Sequence, residues 1–206
     1  VSAARDEILA RIRAAMSDAP DDERPIPRGY RRQGDRLEGR LERFVDRIRE
    51  YHADVRCLDA GHIGAAISKY CADMALRRVV VPSALPSDWR PAGVEVLEDR
   101  ALTAAELDAV DAAVTGCAVA IAETGTLVLD GRDVSGRRAI TLVPDHHVCV
   151  VRAEQVVGLV PEAVAAVDPR APVTLISGPS ASSDIELQRV EGLHGPRHLL
   201  VLVATE

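Results

Sequence analysis

A chain of 206 residues that is 47% hydrophobic can bury a full globular core. Its formal charge of -7 and 2% aromatic content argue against a nucleic-acid groove, which needs basic surface and stacking rings. Lys69 is the only lysine and follows a serine, so a GxxxxGK phosphate loop is excluded and Schiff-base chemistry has a single candidate, on a helix face.

Residues 2 to 16, SAARDEILARIRAAM, place Ile8, Leu9, Ile12 and Met16 at helical spacing, with acids early and arginines later. The charged, proline-containing stretch that follows reads as a linker. The expected organisation is an amphipathic helix and linker over 1–35 and a single α/β domain over 36–206. Two readings stay open for the helix: it packs on its own domain, or it docks on a partner, including a second copy that would make a homo-oligomer.

A second helix is expected from Leu37 to about Tyr51, then a strand at Val55–Leu58, a helix over HIGAAISKYCADMAL and a strand at RRVVVP. GVEVLED reads as a strand and TAAELDAVDAAV as a helix. CAVAIAETGTLVLD reads as two strands joined at Thr124-Gly125, where glycine supplies the positive φ of a tight turn. AITLVP and HHVCVVR are expected as strands, AEQVVGLVPEAVAAV as one or two helices, and VTLISG and HLLVLVA as the last strands. The alternation predicts an α/β fold: a largely parallel sheet flanked by helices, with an antiparallel hairpin. Ligands in such sheets sit beyond the carboxyl ends of the strands. With no charged-then-apolar leader and no apolar run near about twenty residues, a soluble, cytoplasmic protein is expected, with no membrane partner.

Cys57, Cys71, Cys117 and Cys149 show no CxxC spacing and have apolar neighbours, which suits reduced packing residues. No cofactor, metal or iron-sulfur cluster is expected on this chain alone. His146 and His147 are adjacent, so in a strand they face opposite sides; His147 and Cys149 share a face but lack a third ligand. Asp59-Ala60-Gly61-His62-Ile63-Gly64 misses the first glycine of a dinucleotide fingerprint, and Asp59 reads better as a helix cap.

Two Gly-Pro corners stand close together, at Gly178-Pro179 and Gly195-Pro196. Between them Ser180, Ser182 and Ser183 offer hydroxyls, and a helix start near Asp184 offers N–H donors, the makings of a cradle for a small anion. A plain helix cap at Ser183 or Asp184 is the simpler alternative. His194 stands at the second corner, as a structural or an anion-binding histidine. Gly178-Pro179-Ser180-Ala181-Ser182 lacks the final glycine of a nucleophile elbow. Glu123 ends an apolar run beside the Thr124-Gly125 turn, as a solvated edge residue or as a base or nucleophile.

The run SGPSASSDIE at 177 to 186, continued by Gly192, His194, Gly195 and Pro196, resembles the C-terminal signature of the lactate-utilisation protein C family (LUD domain). Ala122-Glu123-Thr124-Gly125-Thr126 resembles that family's central motif, and Pro144 with His147 and Val148 its strand entry. Ser183 departs from the threonine expected there but keeps a hydroxyl. The resemblance implies a fold similar to ribose-phosphate isomerase, glucosamine-phosphate deaminase and the CoA-transferases. It also implies a part in oxidising L-lactate to pyruvate beside iron-sulfur partner proteins. With the residue reading above, it gives Thr124, Gly125, Thr126, His147, Gly178, Ser180, Ser183, Asp184 and His194 as ligand-binding candidates. Glu123 is the catalytic candidate, by analogy with the CoA-transferase glutamate, which would make the chain a stand-alone acyl-CoA or phosphosugar enzyme. Otherwise it serves lactate oxidation as a subunit binding a small anionic ligand, or acts as a purely structural or regulatory binder.

Overall fold

A computed structural model describes residues 2–17, 25–34, 38–182, 190–191 and 195–205. The chain divides into two units, Val1–Tyr30 and Arg31–Glu206. The first holds helix α1 (Ser2–Met16), where Arg11 donates to Glu7 one turn earlier. No helix among the described residues is long and apolar enough to cross a membrane.

The second unit starts with α2 (Arg40–Glu50), whose Phe44, Val45 and Ile48 are buried at one helical stripe. Strand β1 (Asp54–Asp59) leads into α3 (Ile63–Asp73), which buries Ile63, Ile67, Tyr70 and Cys71 at spacings of four, three and one. Asp59 stands before the short 3-10 turn at Ala60–His62 but makes no side-chain cap bond. Then follow β2 (Arg78–Pro82), β3 (Glu95–Asp99) and α4 (Ala104–Asp108), which starts at a capping box between Thr103 and Glu106. Next come β4 (Ala112–Gly116), β5 (Val119–Ile121), β6 (Thr126–Leu129), β7 (His146–Arg152), β8 (Val156–Val157) and α5 (Val160–Ala166). The described chain closes with β9 (Thr174–Ile176), β10 (Ala181–Ser182), β11 (Val190–Glu191) and β12 (His198–Thr205).

Six strands make one parallel sheet in the order β1-β12-β7-β4-β2-β3. A four-stranded sheet runs β8-β5-β6-β9, with β5 and β6 antiparallel as the hairpin at Thr124-Gly125 requires. Gly125 has φ 58, and a Cβ there would sit 2.4 Å from the Ile48 backbone nitrogen, so the turn meets α2 only because it carries glycine.

The core follows the pleat. On β7 and β12, Val148, Val150, Leu200 and Leu202 pack on α3, while Cys149, Val151, Val201 and Val203 pack on α2 and the four-stranded sheet. These central strands are apolar on both faces, as parallel strands covered twice must be. Cys71, Cys117 and Cys149 are free and buried, whereas Cys57 is exposed and is no packing residue. Burial pushes the Cys71 thiol up to about 11, and a thiol–thiol bond with Cys149 holds Cys117 well above its usual range.

Three elements differ from the sequence expectation, the smallest being β8, a strand at Val156–Val157 paired with β5 inside the segment AEQVVGLVPEAVAAV that reads as helix. The helix expected over TAAELDAVDAAV stops at Asp108, and Ala112–Gly116 is instead a fully buried central strand. Small apolar residues carry almost no period of their own, so position in the sheet decides. AITLVP is not a strand: Arg138–Thr141 is a 3-10 turn that sends Ile140 into a cluster with Val80, Leu107 and Ala113. Both neighbours of β4 are already taken, by β2 and β7, so no place in the sheet was open to it there.

Candidate functional site

The two Gly-Pro corners meet. The Ser180 N–H donates to the Pro196 carbonyl at 2.8 Å. Gly178 lies so close to α2's end that a Cβ would come 2.6 Å from the Tyr51 Cβ and 2.8 Å from its carbonyl oxygen. Between these corners, the 3-10 turn at Arg138–Thr141, and strands β7, β9 and β12 lies a cavity of about 640 Å³. It opens at the amino ends of β7 and β12, beside His147 and Leu199, and past the carboxyl end of β9. The carboxyl edge of the parallel sheet, where the fold rule puts ligands, is therefore not where the cavity lies.

His147 is on the cavity's floor, 1% exposed. Its Nε2 shares a hydrogen bond of 2.8 Å with Thr115 Oγ1 on β4. Its Nδ1 has no hydrogen-bond partner among the described residues. Burial alone pushes the ring down to about 4, so at neutral pH it is an uncharged donor or acceptor. Arg138 lies exposed at the rim and makes no ion pair with any described residue. Thr141, Ser177 and Ser180 add hydroxyls, while Leu142, Ile176 and Leu199 form apolar wall.

The expected site residues fall into four groups. His147, Gly178 and Ser180 line the cavity. Thr126 stands just behind it: its hydroxyl bonds to Ser177 Oγ at 2.8 Å and to Thr124 Oγ1 at 2.7 Å, a short chain of hydroxyls along the hairpin. Glu123 and Gly125 are set apart from the lining; the Glu123 carboxylate accepts from Arg31 Nη2, and its N–H donates to the Gly158 carbonyl. Ser183, Asp184 and His194 lie outside the described residues. Arg138, Thr141 and Tyr51 were not singled out from the sequence. An arginine just before a segment read as a strand has no motif to mark it; only the 3-10 turn brings it to the cavity.

A second cluster lies on the opposite side of β7. Asp145, His146 and His198 are close enough to offer three ligand atoms to one ion. The geometry argues otherwise. The His146 and His198 rings are stacked, 4.3 Å between centroids and 17° between planes. An ion must lie in the plane of each imidazole it binds, and stacked rings share no such point nearby. Both Asp145 oxygens are also held by Arg197, at 2.6 and 2.7 Å, and that bond is the main cause lowering the Asp145 carboxyl. His146 Nδ1 is bonded to the buried Tyr70 hydroxyl at 2.8 Å. The cluster is a hydrogen-bonded stack.

A family model described as the LUD domain matches residues 41–204, the sheets and the cavity together. The chain belongs to the LUD domain family. "Lactate utilization protein C" of Deinococcus radiodurans is 50% identical over 168 residues, covering 79% of this chain and 78% of that one. The protein of the same name from Geobacillus kaustophilus is 29% identical over 178 residues, 75% of this chain and 74% of that one. A solved structure, described as a DUF162 family protein from Deinococcus radiodurans, superposes with a TM-score of 0.68 at 42% identity. That match covers 81% of this chain and 96% of the other. In this LUD domain the Gly-Pro corners, which lie within the family match, are the cavity's own walls.

Proposed function

We propose that this chain serves lactate utilisation, as the names of its relatives indicate, by binding a small organic anion in the cavity between the Gly-Pro corners. The observation that carries the reading is the pairing of an uncharged, buried His147 at the floor with an Arg138 cation at the rim that has no ion-pair partner among the described residues. A cation held at an opening attracts an acid group, and a neutral ring below it fixes orientation by a hydrogen bond. In this reading the chain is a cytoplasmic subunit, and electrons from lactate pass to iron-sulfur partner proteins. The thiols support that division of labour: Cys71 packs on one face of the sheet, Cys117 and Cys149 on the other, so they cannot converge on one cluster.

Acyl transfer by Glu123 is the second reading. It is disfavoured by the Arg31 pairing and by the place of Glu123 outside the cavity lining. The test of the first reading is complementation of a host lacking this chain. Arg138→Gln should slow growth on L-lactate and leave growth on pyruvate unchanged, and the tagged wild-type chain should co-purify with iron-sulfur proteins. Full growth with Arg138→Gln, and recovery of the chain alone, would remove the reading.

A further inference from the structure

The cavity is large for a three-carbon acid. At about 30 Å³ per water, its roughly 640 Å³ has room for on the order of 20 waters, of which lactate would displace only a few. Sites for drug-sized ligands fall at about 300–1,000 Å³. The lining is also divided. Among the described lining residues the one cation, Arg138, is exposed at the rim, while the fully buried polar groups are the Thr141 hydroxyl and His147, a ring that burial keeps neutral. Between them Leu142, Ile176, Leu199, Pro179 and Pro196 form an apolar wall, with the hydroxyls of Thr141, Ser177 and Ser180 on the rest of the lining. A second charge carried down to the floor would meet no counter-charge among the described residues and would lose its hydration.

We propose that the cavity takes an amphiphilic mono-acid: one singly charged carboxylate at Arg138, an apolar body of medium-chain length along the Leu142–Leu199 wall, and no second charge at the far end. The inference rests on the anion-binding reading above and names its ligand class; lactate itself is too small to fill the site. The His147 ring then meets an uncharged part of the ligand, and its Nδ1, unbonded among the described residues, selects a hydroxyl, carbonyl or similar group there.

Calorimetric titration of the full chain with four probes tests this: octanoate, octanedioate, octanol and L-lactate. Octanoate should saturate one site per chain and bind at least about tenfold tighter than lactate, because its extra methylenes leave water. Octanedioate and octanol should each be weaker than octanoate, the first by burying a second charge and the second by lacking the head. Arg138→Gln should weaken octanoate about fivefold to tenfold. Leu175→Glu, a change at an exposed rim position, should weaken it too, by repulsion. Lactate binding as tightly as octanoate, with loss on Arg138→Gln, would overturn the size inference and leave the anion site standing. Octanol matching octanoate, or no probe binding at all, would overturn both.

Discussion

His146 and His147 are consecutive residues of one strand and live in opposite media. The His147 side of β7 is the drier one: among the described residues the ring has one bond, to Thr115, and no charged group among its bonded partners. The His146 side is a network reaching solvent, with Tyr70 from α3, the exposed His198 stacked alongside, and the Asp145–Arg197 pair at the edge. The pleat alone makes the difference, because successive side chains leave a strand on opposite faces. One face thus receives a neutral ring suited to a ligand that must shed water. The other receives a ring whose charge depends on its neighbours. Burial comes first in lowering His146, and the nearby His198 second.

The largest effect should come from breaking the dry side. His147→Ala removes a fully buried ring and leaves the Thr115 hydroxyl without its partner, a loss of about 3 kcal/mol in chemical denaturation. Adding Thr115→Val should recover part of that loss, because the orphaned hydroxyl goes with it. A double variant that is less stable than His147→Ala by the full cost of Thr115→Val alone would mean the two side chains do not interact.

The pH dependence of stability comes next. His147 is pushed down to about 4 from an ordinary 6.5. The unfolded chain therefore binds the proton first. Stability is complete above pH 6.5, falls as pH drops through 6.5, and levels off for this group below about 4. At about 1.36 kcal/mol per pH unit, the loss over that window is on the order of 3 kcal/mol. His146, also lowered, adds to the fall in the same direction. His147→Gln keeps a polar group without titration, so urea midpoints between pH 7 and 4 should flatten markedly. An unchanged slope would place the pH sensitivity on the wet side instead.

How far the sequence reveals this contrast can be told from particular residues. The opposite facing of His146 and His147 follows from adjacency in a strand, and the apolar runs VVV and LLVLV mark the doubly covered sheet. The turn at Gly125 is legible because only a positive φ suits that position. Stacking of His146 on His198 is not legible, since it depends on β7 and β12 being neighbours with those two residues in register, 52 positions apart in the chain. Nor is Arg138: the six residues after it look like strand, and tertiary packing of Ile140 coils the first of them into a turn. The central strand at Ala112–Gly116 hides for a related reason, its small residues fitting helix or sheet equally well. Local pattern showed where the core runs, and pairing over long separations decided what meets at the cavity.

The smallest effects test the wet side. Burial pushes the Tyr70 hydroxyl up to about 12, so it stays protonated and available to His146 at every accessible pH. Tyr70→Phe should lose about 1 kcal/mol, the net worth of one buried hydrogen bond. His198→Ala removes the like charge that resists protonation of His146, so the His146 pKa should rise, read by NMR from its imidazole Cε1–H signal. His147 supplies the internal control. It is separated from both changes by the thickness of the strand, and its depressed titration comes from burial rather than from any neighbouring charge. Movement of His146 with His147 fixed would establish that the two faces titrate independently. Movement of both would mean that the charge on one face reaches the other, and the cavity floor would then respond to pH through β7 itself.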